Sequence, residues 1–209
     1  MKTNNEIIPC VILAGGKGRR MGGKEKGLIN LFDRPLISYV LEKVSGKAAP
    51  FALNINTNFE KFKNFGYEIL EDPFKGHLGP LVGILASLNW AKNIKQKWVL
   101  TLPCDTPFLP QNLIESLLKV KNENPDLDLV VAKSRGFNHP VIALWKTDNN
   151  LILKKAIEEG VRKIDIFTSQ LKTAHVNFDK INKSKFDPFT NLNSPKDLII
   201  AMQILGKLP

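Results

Sequence analysis

The residues best suited to chemistry lie in one glycine-rich stretch, which reads LAGGKGRRMGGKEKG from Leu13 to Gly27. It follows an apolar run, Ile7 to Leu13, that predicts a strand, and it precedes an amphipathic segment that begins near Pro35. A glycine-rich turn between a strand and a helix points several backbone N–H groups at one place and so forms an anion site. Cationic side chains add to those amides, among them Arg19, Arg20, Lys24 and Lys26. The stretch therefore predicts a polyphosphate site.

Two common phosphate-binding motifs do not fit this stretch. The P-loop needs four residues between its glycines and then Gly-Lys-Ser/Thr, which the stretch lacks. The dinucleotide motif G-x-G-x-x-G could begin with Gly16 and Gly18, but the next glycine, Gly22, comes one residue too late. A mobile basic surface loop is the alternative, although the strand before it and the helix after it favour a binding site.

The stretch resembles the signature of nucleotidyltransferases with a Rossmann-like fold of the glycosyltransferase-A type. The matching residues are Leu13 to Gly16, the Arg-Met-Gly that ends at Gly22, and Lys26. Within that group, the chain is most similar to the molybdenum cofactor guanylyltransferases (molybdopterin-guanine dinucleotide synthases). The molybdopterin cytidylyltransferases have almost the same loop, so the loop alone leaves the nucleotide open.

The resemblance implies a Mg²⁺-dependent transfer of GMP from GTP to the terminal phosphate of molybdopterin, with release of pyrophosphate. It implies Arg20, Lys26 and Asp105 as catalytic residues, with Asp105 also the metal ligand. The implied GTP-binding residues are Leu13, Ala14, Gly15, Gly16, Lys26, Asn54, Asp72, Gly79 and Asp105. The implied acceptor-binding residues are His139, Asn191 and Asn193.

Polar residues end two of the predicted strands. Asn54 and Asn56 lie on one side of their strand, where carboxamides can pair with a base or ribose, or can simply close a turn. Asp72 follows an apolar pair, Ile69-Leu70. A carboxylate there can accept hydrogen bonds from N1–H and the 2-amino group of guanine, an edge that cytosine lacks. An ordinary turn before Pro73 is the alternative.

A second carboxylate, Asp105, stands between two prolines just after the apolar strand Trp98 to Leu102. This position suits Mg²⁺, which takes one or two carboxylates together with phosphate oxygens. A helix N-cap before Pro107 is the alternative. In the family that the chain resembles, the form Pro-Cys-Asp-Thr-Pro is associated with guanylyl transfer, which favours GTP over CTP.

The remaining candidates lie on turns. Gly79 precedes Pro80 at a predicted helix start, where it would let the helix lie close to a base or to the sheet. His139 could donate a hydrogen bond to the pterin or its phosphate, or could be a loop histidine. Asn191 and Asn193 share one face of an extended stretch. The resemblance places them at the floor of the site, and turn formation is the alternative.

Apolar runs alternate with amphipathic segments along the chain, which predicts a mainly parallel sheet with helices on both faces. We therefore predict an α/β protein with a single-domain, Rossmann-like, three-layer α/β/α nucleotidyltransferase fold. The domain would span residues 1–209, with a nucleotide-binding part at about 1–107 and an acceptor-binding part at about 108–209. The predicted strands are Ile7–Leu13, Phe51–Asn56, Tyr67–Leu70, Trp98–Leu102 and Leu127–Ala132. The predicted helices are Leu36–Val44, Leu81–Ala91, Pro110–Lys121 and Asp148–Glu159.

Composition limits the class of protein. With 209 residues, of which 43% are hydrophobic, the chain can bury one sizeable core but is short for two domains. It has no apolar run of about 18 residues and no signal-peptide hydrophobic region, so we expect a cytoplasmic protein with no membrane partner. Cys10 and Cys104 are expected to be buried free thiols. We also expect a monomer that uses GTP and molybdopterin and meets cofactor-delivery proteins and molybdoenzymes.

The formal net charge of +10 raises the question of a nucleic-acid partner. The lysines are scattered and no aromatic residues are interleaved with them, so we expect none; a basic surface also attracts polyanionic small substrates. Three other functions remain open. They are cytidylyl transfer to the same pterin, a sugar- or alditol-phosphate nucleotidyltransferase, and a non-catalytic nucleotide-binding module. Asp105 and Lys26 argue against the last.

Overall fold

The computed structural model describes residues 7–18, 23–76, 78–179 and 187–206. The strands are β1 (Ile8–Leu13), β2 (Lys17–Gly18), β3 (Lys24–Glu25), β4 (Asn30–Leu31), β5 (Arg34–Pro35), β6 (Ala48–Asn54), β7 (Glu68–Leu70), β8 (Trp98–Pro103), β9 (Leu129–Ser134), β10 (Phe137–Lys146) and β11 (Thr173–Asn177). The helices are α1 (Leu36–Val44), α2 (Phe59–Lys63), α3 (Pro80–Asn93), α4 (Leu113–Glu123), α5 (Asn150–Glu158), α6 (Ile164–Thr168) and α7 (Pro195–Ile204).

Seven of these strands form one sheet in the order β11-β9-β10-β8-β1-β6-β7. Strand β10 is antiparallel to both of its neighbours, while the other pairs in the sheet are parallel. The mainly parallel sheet confirms the predicted fold class. The antiparallel strand follows a tight turn at Arg135 and Gly136, whose φ angles are both positive.

Helices cover both faces of the sheet and give the three predicted layers. Apolar residues of α1 and α4 pack on one face, together with Phe62 of α2. Those of α3, α5 and α6 pack on the other face, around Trp145. Helix α3 is apolar on nearly all sides and is correspondingly buried, which is typical of a helix enclosed within a core. Both layers therefore hold the carboxyl ends of β1, β6 and β8 in fixed positions.

A third, smaller apolar cluster joins a segment near the N-terminus to one near the C-terminus. Leu192 and Ala201 pack against Ile29, Leu31 and Leu36. This contact holds the C-terminal segment beside the loop that follows the glycine-rich stretch.

The C-terminal helix α7 begins with a well-defined N-terminal cap. Ser194 and Asp197 form a capping box, and Pro195 occupies the first helical turn. The Asp197 carboxylate accepts hydrogen bonds from the backbone N–H groups of Asn193 and Ser194, each at 2.8 Å. The residue that precedes the cap, Asn193, is thereby held in place.

Two further expectations concern membranes and thiols. Within the described residues, no helix is both long and apolar enough to cross a membrane. Cys10 and Cys104 are free and buried, as predicted, and burial raises the pKa of both thiols. Neither thiol is therefore suited to act as a nucleophile.

Candidate active site

A cleft of about 720 Å³ lies beyond the carboxyl ends of β1, β6 and β8 and beside the start of α3. Most of the predicted GTP-binding residues line it together, namely Leu13, Gly15, Gly16, Lys26, Asn54, Asp72, Gly79 and Asp105. Ala14 is the exception, because it is fully buried and its N–H donates to the backbone oxygen of Asn54 at 2.9 Å. Arg20 lies outside the described residues. These residues therefore meet at one cleft, while the role of each stays a prediction.

The glycine-rich stretch leaves β1 and returns through a short two-stranded ladder. Lys17 pairs with Glu25 and Gly18 pairs with Lys24, which brings the chain back to Lys26 at the cleft. Within the described part of the chain, the N–H groups of Gly15 and Gly16 donate to no other backbone group. The exposed turn can therefore offer amides to an anion.

Lys26 connects three segments that are distant in sequence. Its ammonium pairs with Asp105 Oδ2 and also contacts Asn193 Oδ1. The Asp105 backbone oxygen accepts a hydrogen bond from the N–H of Leu192 at 3.0 Å. Asp105 is only 5% exposed, and its second oxygen, Oδ1, is buried without a hydrogen-bond partner among the described residues. The Lys26 ammonium thus neutralises the Asp105 carboxylate, whose buried Oδ1 remains without a hydrogen bond among the described residues.

At another part of the cleft, two asparagines orient the carboxylate of Asp72. Asn54 Nδ2 donates to Asp72 Oδ1 at 2.9 Å, and Asn56 Nδ2 donates to Oδ2 at 2.6 Å. The Asp72 N–H donates in turn to Asn56 Oδ1 at 3.0 Å. Burial raises the pKa of the Asp72 carboxyl, an effect that these two asparagines partly offset. Each carboxylate oxygen can accept a second hydrogen bond, so Asp72 can still receive two donors from a ligand.

Two glycines make room for this arrangement. A Cβ at Gly83 of α3 would lie 2.4 Å from Asn54 Oδ1, and one at Gly15 would lie 2.6 Å from Asn56 Nδ2. A side chain at either position would require the facing asparagine to move, so the asparagines and glycines fit together as observed. The sequence predicts that Asn56 lies on the same side of its strand as Asn54, but it does not show that Asn56 holds the Asp72 carboxylate.

Glu25 is a buried residue that the sequence did not single out. It is 8% exposed, and its Oε1 accepts hydrogen bonds from Thr57 Oγ1 and from Asn58 Nδ2. It lies between Lys24 and Lys26 in a basic stretch, where the sequence pattern does not predict a buried carboxylate. The contacts tie the returning glycine-rich stretch to the turn after β6, and they arise from the pairing of β2 with β3, which single-residue patterns do not reveal.

The three predicted acceptor-binding residues do not line the cleft. Asn193 contacts the cleft residue Lys26, and Asn191, two residues before it, is exposed. His139 lies on β10. His139 Nε2 is 2.8 Å from Ser134 Oγ, whose hydroxyl donates to Asp187 Oδ1 at 2.8 Å. The serine stands between the other two side chains, so the arrangement is not one in which a histidine activates a serine nucleophile.

The fold and the site together define a class of protein. A mainly parallel sheet carries a glycine-rich turn after its first strand and a cation–carboxylate pair at its carboxyl ends, an arrangement suited to binding a nucleoside triphosphate. Residues 10–171 match the MobA-like NTP transferase domain, a family of that class. The chain is therefore an enzyme of the nucleotidyltransferase type.

Relatives narrow the class to one family. The chain is 38% identical over 204 residues to a molybdenum cofactor guanylyltransferase of Rhodopseudomonas palustris (strain BisB5), covering 96% of this chain and 95% of the relative. It is 36% identical over 203 residues to a molybdenum cofactor guanylyltransferase of Mesorhizobium japonicum, covering 96% of this chain and 97% of the relative. The chain belongs to the molybdenum cofactor guanylyltransferase family, which confirms the predicted resemblance.

A solved structure confirms the fold. The crystal structure of molybdopterin-guanine dinucleotide biosynthesis protein A from Archaeoglobus fulgidus matches with a TM-score of 0.77 and 28% identity. The match covers 96% of this chain and 100% of that chain. The similarity therefore extends over both the cleft and the C-terminal segment.

Proposed function

We propose that the protein transfers GMP from GTP to the terminal phosphate of molybdopterin and releases pyrophosphate. The names of its relatives support the reaction, and one observation on this chain supports the nucleotide. Asp72 lines the cleft as an oriented carboxylate that still has room for two donors. Guanine offers two adjacent donors, N1–H and the 2-amino group. Cytosine has no such pair, so this feature favours GTP over CTP.

The phosphates of GTP would bind at the glycine-rich turn. The amides of Gly15 and Gly16 and the ammonium of Lys26 lie on the same cleft. In the reaction, Lys26 would neutralise charge that develops on the leaving pyrophosphate, since such transfers depend on positioning and charge more than on a covalent nucleophile. Arg20 is proposed for the same task from the sequence alone, because it lies outside the described residues.

The residues at Asp105 fit a Mg²⁺ ion. Asp105 Oδ1 is buried with no hydrogen-bond partner among the described residues. Asn193 Oδ1 contacts the Lys26 ammonium that also pairs with Asp105. Among the described residues there is no cluster of three or more His, Cys, Asp or Glu side chains that could hold a metal ion, so the protein itself would supply few ligands. Asp105 would hold the ion, with Asn193 as a second oxygen ligand. Bound there, Mg²⁺ would supply Lewis-acid chemistry to the triphosphate.

The acceptor would approach from the second half of the chain. We propose a nucleotide-binding part at about 1–107 and an acceptor-binding part at about 108–209. Among the described residues that line the cleft, Val141 alone follows position 107. Asn191, Asn193 and His139 would contact the acceptor, whose phosphate attacks the α-phosphorus of GTP. We further propose a cytoplasmic location, which rests on composition, and a monomer that meets cofactor-delivery proteins and molybdoenzymes, which rests on the resemblance.

Calorimetry in the presence of Mg²⁺ tests this proposal by comparing GTP, CTP, ATP and UTP. We expect the wild type to prefer GTP and the variant Asp105→Ala to bind it at least tenfold more weakly. Asp126→Ala, at an exposed aspartate outside the cleft, is the matched control. A preference for CTP would move the protein to cytidylyl transfer. Absence of nucleotide binding would overturn the proposed role of the glycine-rich turn.

A further inference from the structure

We propose that Ser134 and Asp187 are positioning residues that fix the tautomer of His139, so that its Nδ1 accepts a hydrogen bond from an N–H group of the pterin. This inference rests on the proposed function, because it places His139 on the acceptor side of the reaction. It also reverses the direction of the hydrogen bond that the sequence suggested, in which His139 was the donor.

A buried hydroxyl connects the two other side chains. Ser134 is the last residue of β9 and is fully buried. Its Oγ lies 2.8 Å from His139 Nε2 and 2.8 Å from Asp187 Oδ1. Both distances are those of well-formed hydrogen bonds. Ser134 therefore has to donate to one partner and accept from the other.

The chemistry of the three groups decides which partner receives the proton. An ionised carboxylate has no hydrogen to donate, so the single hydroxyl hydrogen of Ser134 goes to Asp187. The serine oxygen must then accept from His139, which places an N–H on Nε2. A neutral imidazole carries only one N–H, and consequently Nδ1 keeps its lone pair.

The ring and the carboxylate are both held in place. Phe189 donates its backbone N–H to Asp187 Oδ1 at 3.0 Å, and its ring centroid lies 4.9 Å from that of His139. Phe189 packs in turn against Phe178 in the core. One short segment thus fixes the imidazole through the hydrogen-bond chain and through ring contact.

His139 is close along the chain to residues of the proposed acceptor side. His139 lies two residues before Val141, which lines the cleft, and Phe189 lies two residues before Asn191. Among the described residues, the side-chain contact of the imidazole with Ser134 is made by Nε2, which leaves Nδ1 as the nitrogen for a ligand.

The environment of the ring favours its neutral form near neutral pH. Burial lowers the pKa of His139, although Asp187, a hydrogen bond to the Ser134 backbone and Asp179 act in the opposite direction. A phosphate offers acceptors, whereas a pterin ring offers several N–H donors along its edge. A neutral imidazole with a free Nδ1 lone pair is complementary to the pterin and not to the phosphate.

Nitrogen-15 NMR of the imidazole groups in the full chain tests the tautomer directly, without any substrate. We expect the His139 signals, identified by their loss in His139→Gln, to show a protonated Nε2 and an unprotonated Nδ1. In Ser134→Ala the ring should become a mixture of tautomers. Ser45→Ala, at an exposed serine, is the control. A protonated Nδ1 in the wild type, or an unchanged tautomer in Ser134→Ala, would overturn the inference.

Steady-state kinetics test the role in acceptor binding. We expect Ser134→Ala and Asp187→Asn to raise KM for molybdopterin about tenfold, the factor that one ordinary hydrogen bond supplies, with KM for GTP unchanged. His139→Asn, which retains an acceptor oxygen near the position of Nδ1, should bind the pterin better than His139→Ala. Equal increases in both KM values would indicate a structural role only. Failure of the proposed function would instead show as absent GTP binding with the tautomer intact.

Discussion

Lys26 and Asp105, which are 79 residues apart in the chain, form an ion pair at the carboxyl edge of the sheet. Lys26 follows the ladder that closes the glycine-rich stretch, and Asp105 follows β8. The two side chains are largely buried, with 15% and 7% of their surfaces exposed. Both residues also line the cleft, so a bound triphosphate would compete with Asp105 for the ammonium. The pair therefore links the stability of the fold to the occupancy of the site.

This link makes the first prediction a test of Asp105 as a cation site. Lys26→Met removes the charge that balances a buried carboxylate, and we expect a loss of about 3 kcal/mol in the free energy of unfolding. Millimolar Mg²⁺ should raise the melting temperature of this variant more than that of the wild type, since the ion would replace the missing ammonium. Urea denaturation and thermal melts with and without Mg²⁺ measure both effects.

The control for this variant is Lys92→Met. Lys92 forms an exposed ion pair with Asp148 at 3.4 Å, and such pairs contribute about 0–1 kcal/mol. We expect little change in its stability and no additional effect of Mg²⁺. An equal response of both variants to Mg²⁺ would show that Asp105 is not the site of the ion.

The second prediction concerns the recognition of guanine by the Asp72 carboxylate. ITP has the N1–H of GTP but lacks its 2-amino group, so it removes one of the two donors that Asp72 would accept. Wild type should bind ITP about tenfold more weakly than GTP, the factor that one hydrogen bond supplies. Asp72→Asn should bind GTP at least tenfold more weakly and should discriminate less between the two nucleotides. Calorimetry with Asp126→Asn as the control measures this, and unchanged discrimination would exclude Asp72 as the guanine contact.

The third prediction is a pH dependence with a defined sign. Burial raises the pKa of Asp72 above its ordinary value of 3.8, so its proton is bound more tightly in the folded protein. The carboxyl therefore stabilises the fold below pH 3.8, and this contribution is lost as the pH rises through the raised pKa. GTP binding has the opposite requirement, because only the ionised form can accept two donors. Affinity for GTP should thus fall as the pH is lowered through that raised pKa. An affinity that stays flat until pH 3.8 would contradict the shift.

The fold could be predicted because apolar and amphipathic segments alternate regularly, and the bounds of α1 agree with the prediction at both ends. The antiparallel direction of β10 could not be predicted, because the alternation of side chains along a strand is the same in either direction. The cleft was predictable for a related reason: parallel strands end at one edge, so Asn54, Asp72 and Asp105 had to meet there.

Contacts between distant segments were not predictable in the same way. Ser134 and Asp187 are 53 residues apart, and each looks like an ordinary polar loop or strand residue in the sequence. Glu25 lies among lysines and is nevertheless buried. In both cases a contact with a distant segment determines which polar group becomes buried. The spacing of residues within one segment does not reveal such contacts.

The fourth prediction uses Gly83, whose added methyl group would lie 2.4 Å from Asn54 Oδ1 and 3.3 Å from its Cγ. Because Asn54 is 3% exposed and bonded to Asp72 and to the Leu70 carbonyl, it cannot move away freely. Gly83→Ala should therefore lower the free energy of unfolding by about 1–3 kcal/mol through overpacking. It should also weaken GTP binding, since displacement of Asn54 releases Asp72.

The control for this steric effect lies in the glycine-rich turn. A methyl group at Gly16 would meet nothing within 4 Å among the described residues, so Gly16→Ala should change the free energy of unfolding by less than about 0.5 kcal/mol. Urea denaturation of both variants separates the steric effect from a general effect of replacing glycine. If Gly83→Ala were as stable as the wild type and bound GTP equally well, Asn54 would not be needed to orient Asp72.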